Sequence, residues 1–328
     1  MKGRLLIASI VLIAGALALY AQAQDESYWT VEKDIRLFHF SEGAGKNVLM
    51  VHGGPGFPTH SAWPGLEPLT AGYRFVYYDQ RGCGRSTRPI DKLASPNYGE
   101  NLKELIRTLG LRTQIADIEK IRQILGDEKL ILIGHSFGGF LASLYASEHP
   151  EQVKALILVA PAEVLVMPAA DGGLYERIKA LLPEAMKQEY GAFLGRYFDY
   201  GRIFSRSEAE LKSINAEFGK YYRAAAEAKG FKMPPEEEIQ DNGGWMVHAL
   251  FFSMGRQHDY RDALKKVSAP VLVIHGEKDL QPEEASRLYA ESFPNGRFVV
   301  IKNAGHFSFS EQPREFAAVA GRFLNELK

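Results

Sequence analysis

The sequence predicts an α/β fold: a mostly parallel sheet with helices on both faces and a helical cap inserted late in the chain. Three observations predict it. Short apolar runs rich in Val, Ile and Leu recur along the chain, bounded by Gly or charged residues, as strands buried on both faces require. Helical patterns lie between these runs, and that alternation marks strands joined by crossovers. A stretch from about 163 to 266 has helical patterns and no convincing strand.

The elements follow in order. Residues 1–23 read as a signal peptide: Lys2 and Arg4 lead, Leu5 to Leu19 is apolar, and Ala21-Gln22-Ala23 is a small-x-small cleavage pattern. The apolar run is shorter than the ~20 residues of a spanning helix. Export to the periplasm or beyond is expected, with retention of the segment as a membrane anchor as the alternative. Residues 24–162 form the first part of the core, with strands at Asn47–Val51, Tyr73–Tyr78, Leu130–Gly134 and Ala155–Ala160. Thr113–Leu125 repeats Ile at helical spacing, and Phe137–His149 is a helix stopped by Pro150. Residues 163–266 are the cap, with helices at Tyr175–Leu182, Glu184–Phe198, Glu208–Ala228 and Gly244–Met254. Residues 267–328 complete the core with strands Val271–His275 and Arg297–Ile301 and a closing helix, Glu311–Leu327. The cap's place in the order makes it a lid over the C-terminal sheet edge, where ligands of open α/β sheets bind.

Composition narrows the function. With 328 residues, 46% hydrophobic and 24% charged, the chain is neither disordered nor a disulfide-stapled miniature. Lys and Arg number 39 against 40 Asp and Glu, so a protein that works by neutralising nucleic-acid phosphates is not expected. Cys83 is the one cysteine, which rules out an intrachain disulfide and a Cys-rich metal site. The nine histidines include no HExxH pair. No metal or organic cofactor is implied.

The chemistry begins at Gly134-His135-Ser136-Phe137-Gly138-Gly139, a G-x-S-x-G between a strand and a helix. A turn that sharp strains the serine and lifts its Oγ to the sheet edge, where the glycines leave room for it. A serine hydroxyl needs a base to become a nucleophile. The order Ser, acid, His on this fold makes Asp279 and His306 the partners, each just past a strand. Glu277, nearer its strand, is the fallback acid. The oxyanion needs donors. One is the backbone N–H of Phe137, and the second comes from His52-Gly53-Gly54-Pro55-Gly56, at Gly54 with Gly53 as runner-up. No GxxxxGK[ST] or GxGxxG occurs, so this loop is not read as a phosphate loop.

His135 is expected to pack beside the nucleophile, His275 to be buried, His248 to pack with Trp245 and Phe252, and His149 and His258 to lie at the surface. Asp79, Arg81 and Arg85 are expected to form a turn held by ion pairs under the site. Cys83 has no base arranged beside it and is not a nucleophile.

His52–Gly56, Tyr78–Ser86 (YDQRGCGRS), GHSFGG, GEKD and NAGH follow one another in an order that resembles the α/β-hydrolases. Among these it is similar to the proline iminopeptidases, which are serine aminopeptidases. The resemblance covers about residues 30–162 and 267–328. It implies a Ser-His-Asp hydrolase that releases an N-terminal, proline-type residue from short peptides. Three features depart from the pattern. The elbow is GHSFGG rather than GGSWGS-like, and GEKD is generic to the fold. The cap also lacks the Trp-Glu segment whose carboxylate binds the substrate amine, having Gly243-Gly244-Trp245-Met246-Val247-His248 instead. Glu217 or Glu237 could take its place. An esterase or another small-substrate hydrolase is therefore the alternative, and a non-catalytic binding protein on the same fold the remote one.

Overall fold

The computed structural model describes residues 27–231, 233 and 241–327. The expected signal segment, 1–23, and Glu237 lie outside them.

The chain opens with strands β1 (Tyr28–Glu32), β2 (Ile35–Gly43), β3 (Lys46–Val51) and β4 (Tyr73–Tyr78). Helices α1 (Tyr98–Leu109) and α2 (Leu111–Leu125) lead to β5 (Leu130–His135), α3 (Phe137–Glu148) and β6 (Val153–Val159). Then come β7 (Val166–Met167) and helices α4 (Gly173–Leu181), α5 (Glu184–Tyr197), α6 (Glu208–Lys229) and α7 (Trp245–Met254). After β8 (His258–Asp259) and α8 (Arg261–Leu264), the chain finishes with β9 (Val271–Gly276), α9 (Glu283–Ser292), β10 (Gly296–Ile301), α10 (Ser308–Glu311) and α11 (Pro313–Asn325).

Eight of the strands form one sheet in the order β1-β2-β4-β3-β5-β6-β9-β10. β1 with β2 and β2 with β4 are antiparallel, and the other neighbours are parallel. The period of two explains the apolar runs. In β3, Leu49 and Val51 enter one core layer while Val48 and Met50 enter the layer on the other face. β5 splits in the same way, Leu130 and Leu132 against Ile131 and Ile133. Helices cover both faces, so each face must be apolar. The strand order reverses at β3 and β5, the kind of point where open α/β sheets bind ligands.

Between β6 and β9 a separate aromatic core forms around Tyr190, Phe193, Tyr197, Tyr221 and Phe231. α6 begins at a capping box of Ser207 and Glu210 and ends at Gly230, φ +81°.

Three expectations change. The stretch read as lacking strands contains the short antiparallel pair β7–β8, with Val166 opposite Asp259 and Met167 opposite His258. Two residues are too few to show a period. An unexpected short helix, Ser308–Glu311, precedes the closing helix, which starts at Pro313 because Gln312 is outside helical geometry at φ −131°. β1, β2, α1 and α9 were not anticipated. β2 lies second from the sheet's edge, and its partial exposure mixes polar residues into the run, as Arg36, His39 and Ser41 show.

Candidate active site

Ser136 sits between β5 and α3 at φ +53°, ψ −122°. Its N–H donates to Val159 O at 2.9 Å, and its carbonyl accepts from Ala162 N–H at 2.9 Å, so β6 holds the turn from both sides. A Cβ on Gly138 would come within 2.1 Å of Val51 O, and one on Gly134 within 2.5 Å of Gly138 O. The elbow can pass this close to β3 only with glycine there. Phe137 is the first residue of α3, so its N–H has no acceptor within the helix.

His306 lies past β10 and its Nδ1 meets Asp279 Oδ2 at 2.8 Å. Both residues are buried. Burial alone would raise the Asp279 carboxyl, but the imidazole and its hydrogen bond outweigh that and hold it below the usual range. Asp279 Oδ1 accepts the backbone N–H of Gln281 at 3.0 Å. The carbonyl of Asp279 accepts from Lys229 Nζ at 2.8 Å. Glu277 points elsewhere and accepts the N–H of Asn303 at 3.0 Å. Asp279 is thus the carboxylate on the His306 ring.

A cavity of about 400 Å³ joins these parts, lined by Gly53, Gly54, Ser136, Phe137 and His306 at its floor. Its walls include Trp63, Phe218, Tyr222, Val247 and Phe251. Gly53 lies directly over the serine: a Cβ there would meet Ser136 Cβ at 2.9 Å.

The histidines divide by partner. His135 donates from Nε2 to His306 O at 2.9 Å and packs edge-on against Trp63 and Phe309. Burial, then the neighbouring His306, lowers it to about 3. His275 is buried, 3.0 Å from Ser286 Oγ. His248 is fully buried beside Tyr197 and Tyr200, and neither ring nitrogen has a partner among the described residues. His149 is half-buried. His258 is half-buried too, its Nε2 donating to Val164 O at 2.7 Å.

The turn after β4 is held differently from the expectation. Arg81 grips Asp117 with two bonds of 2.9 and 2.6 Å and reaches Glu32 at 2.7 Å. Asp79 instead accepts the backbone N–H of Arg85 at 2.8 Å, while the Arg85 guanidinium lies over Phe38. Cys83 is buried and donates to Gln80 O at 3.2 Å. Burial raises its thiol well above the ordinary range.

Sequence reasoning missed four groups. Gln281 lines the cavity, receives the Glu163 N–H on Oε1 at 2.7 Å and bonds Asp279 through its backbone. Its Nε2 stands 3.5 Å from His306 Nδ1. Since Nδ1 already donates to Asp279, that approach is a packing contact and not a hydrogen bond. Glu163 is the carboxylate on the cavity wall, bound to Arg177. Asn215 and Tyr222 line the wall from α6. No motif marks any of them. Glu217, which sequence considered for the amine, faces Arg196 at 2.7 Å and does not line the cavity.

A doubly covered parallel sheet, a strained serine on its central elbow and a histidine–aspartate pair at the same edge define the α/β hydrolases. Residues 46–313 match the family model described as alpha/beta hydrolase fold, and the chain belongs to that family. It is a hydrolase of the α/β fold. It is 27% identical over 296 residues to the proline iminopeptidase of Heyndrickxia coagulans, covering 87% of this chain and 92% of that one. Among solved structures, an esterase from Exiguobacterium antarcticum superposes with TM-score 0.63 at 23% identity, over 91% of this chain and 99% of the esterase. The proline iminopeptidase of Mycobacterium smegmatis superposes with TM-score 0.58 at 22% identity, over 92% of this chain and 98% of that one. Among the described residues no helix is long and apolar enough to cross a membrane, and no group of three or more His, Cys, Asp or Glu could hold a metal ion.

Proposed function

We propose that the chain is a serine hydrolase that releases an N-terminal, proline-type residue from short peptides. Ser136 attacks the carbonyl while His306 takes its proton, oriented and stabilised by Asp279. The N–H groups of Phe137 and Gly54 receive the oxyanion. His306 then protonates the leaving amine, and water releases the acyl group by the same route. The single observation behind the chemistry is the strained Ser136, φ +53°, opening onto a cavity that His306 shares. The peptidase reading draws on the HGGPG and DQRGCGRS pair and on the similarity to proline iminopeptidases along most of the chain. Residues 163–266 serve as the lid, and residues 1–23 as the export signal.

A second reading, an esterase for small apolar acids, is favoured by one observation. The wall is mostly apolar, and its carboxylate, Glu163, is bound to Arg177 rather than free for an ammonium.

Initial rates on proline p-nitroanilide, its N-blocked form and p-nitrophenyl butyrate separate the readings. Turnover of the free-amine substrate alone, lost in Ser136→Ala, supports the aminopeptidase. Turnover of the butyrate alone selects the esterase. N-terminal sequencing of the protein recovered from its host tests the signal: a chain that starts at Met1 would overturn cleavage.

A further inference from the structure

The cap meets the loop that carries Gly54 through one buried carboxylate. Glu208, the first residue of α6, is buried. Its carboxylate serves the start of α7 rather than its own helix, which Ser207 and Glu210 cap. Oε1 accepts the N–H of Gly244 at 3.0 Å, and Oε2 accepts that of Trp245 at 2.6 Å. These N–H groups have no acceptor within α7, and an anion is favoured at that end. A Cβ on Gly244 would lie 2.5 Å from both Glu208 O and Oε2, so glycine is needed for the approach.

Arg88 secures the carboxylate from the core side. Its Nη1 donates to Glu208 Oε1 at 2.5 Å and to Gly82 O at 3.1 Å, and its Nη2 donates to Asp241 O at 2.8 Å. One guanidinium thus joins the turn after β4, the start of α6 and the strap 241–244 that leads into α7. Asp241 O also accepts the Gly84 N–H at 2.7 Å. The carbonyl of Asp91 accepts the Glu208 N–H at 2.8 Å and Trp245 Nε1 at 3.0 Å. The strap then reaches the catalytic loop. Gly243 donates its N–H to Gly56 O at 2.7 Å, two residues past Gly54. Gly56, at φ +77°, is pressed against strap and helix: a Cβ there would stand 3.1 Å from Met246 Sδ and 3.2 Å from Gly243 N and Val247 Cγ2. Charge-assisted bonds are the strong ones, and here they fix the strap. Without the carboxylate, Arg88 and two N–H groups lose their acceptor, and the strap must shift to satisfy them.

We propose that Glu208 is a positioning residue for the hydrolysis: it holds the strap 241–244 so that Gly243 fixes Gly56 and, with it, the proposed oxyanion donor Gly54. The cap then acts on the chemical step as well as enclosing the substrate. The proposal rests on the reading of Ser136 as the nucleophile and Gly54 as a donor.

The test uses the whole chain and p-nitrophenyl acetate, whose small acyl group asks little of the cap walls. Rates are taken per active serine, counted with a fluorophosphonate that labels Ser136, so unfolded protein does not enter them. Glu208→Ala and Arg88→Ala should each lower kcat by roughly tenfold or more, as displaced catalytic groups do, with KM changed far less. The double variant should lose no more than the worse single one, because both substitutions break the same clasp. Where Glu208→Ala does not fold, Glu208→Gln takes its place: it keeps the volume but offers one acceptor to two N–H groups. Its kcat should fall by roughly threefold or more. An unchanged kcat, with any loss confined to KM or to the urea midpoint, overturns the proposal and leaves Glu208 a fastener of the cap alone. Losses that multiply in the double variant overturn it too. A wild type that neither hydrolyses the acetate nor takes the label overturns the nucleophile itself.

Discussion

Gln80 donates its backbone N–H to Nε2 of His52 at 3.0 Å, beside the loop that packs Gly53 against Ser136. That bond makes Nε2 an acceptor, so Nδ1 carries the proton and donates to Gly53 O at 3.0 Å. Burial lowers His52 to about 4 and keeps it neutral at working pH. Gln80 Nε2 closes the link by donating to His52 O at 2.8 Å. The DQRG turn therefore holds the HGGPG loop, and through it the proposed oxyanion donor Gly54.

His52→Ala should lower kcat on p-nitrophenyl acetate by about tenfold or more, towards the loss seen when an oxyanion donor is removed. KM should change less than kcat, since Phe218, Tyr222, Val247 and Phe251 line the cavity from other elements. Steady-state kinetics check this, and an unchanged kcat would detach the loop from catalysis.

Gln281 sets up a pH prediction. Its side-chain amide stands 3.5 Å from His306 Nδ1, and its backbone N–H donates to Asp279 Oδ1. Gln281→Glu adds a carboxylate at that place, and a second negative charge favours the imidazolium. The acid limb of the kcat/KM profile should move up by about one pH unit. Gln281→Leu should lower kcat without moving the limb. Equal limbs in both variants would show that the side chain does not sense the base.

The strain at Ser136 should be measurable. At φ +53° any side chain with a Cβ is disfavoured, and such conformations cost about 1–3 kcal/mol. Ser136→Gly and Ser136→Ala should both abolish turnover. The glycine variant should be the more stable by about 1 kcal/mol in urea titration. Equal stabilities would show that the turn carries no such strain.

His248 should make the protein acid-sensitive. Burial, reinforced by Arg206, lowers it from 6.5 to about 3. Between those values the unfolded chain binds a proton that the folded chain refuses. This contribution to stability is whole above about pH 6.5 and is lost as pH falls towards 3, by about 1.4 kcal/mol per unit. His248→Leu removes the term. From pH 7 to pH 5 the wild type should lose about 2 kcal/mol more than the variant. Parallel urea titrations at the two pH values decide it.

The inner parallel strands were legible to within a residue or two because each is buried on both faces, and an uninterrupted apolar run has few other uses. Tyr73–Tyr78 and Val271–Gly276 are of this kind. β2, second from the edge, escaped because partial exposure lets polar residues into the pattern. Pro313 set the start of the closing helix two residues after the expected Glu311.

At the site, Ser136, Asp279 and His306 were nameable from sequence because each follows a strand directly, and strand ends of a parallel sheet share one edge. A motif and a strand boundary are both local, so the chain alone determines them. The Arg177–Glu163 pair, Asn215 bound to the carbonyls of Gly243 and Gly244, and Gln281 between two loops are not local. Their meaning depends on which side chains the cap brings against the sheet. Only the folded chain decided that the pocket's carboxylate, Glu163, is paired with Arg177, because charge and hydrogen-bond state belong to pairs of residues that packing alone makes neighbours.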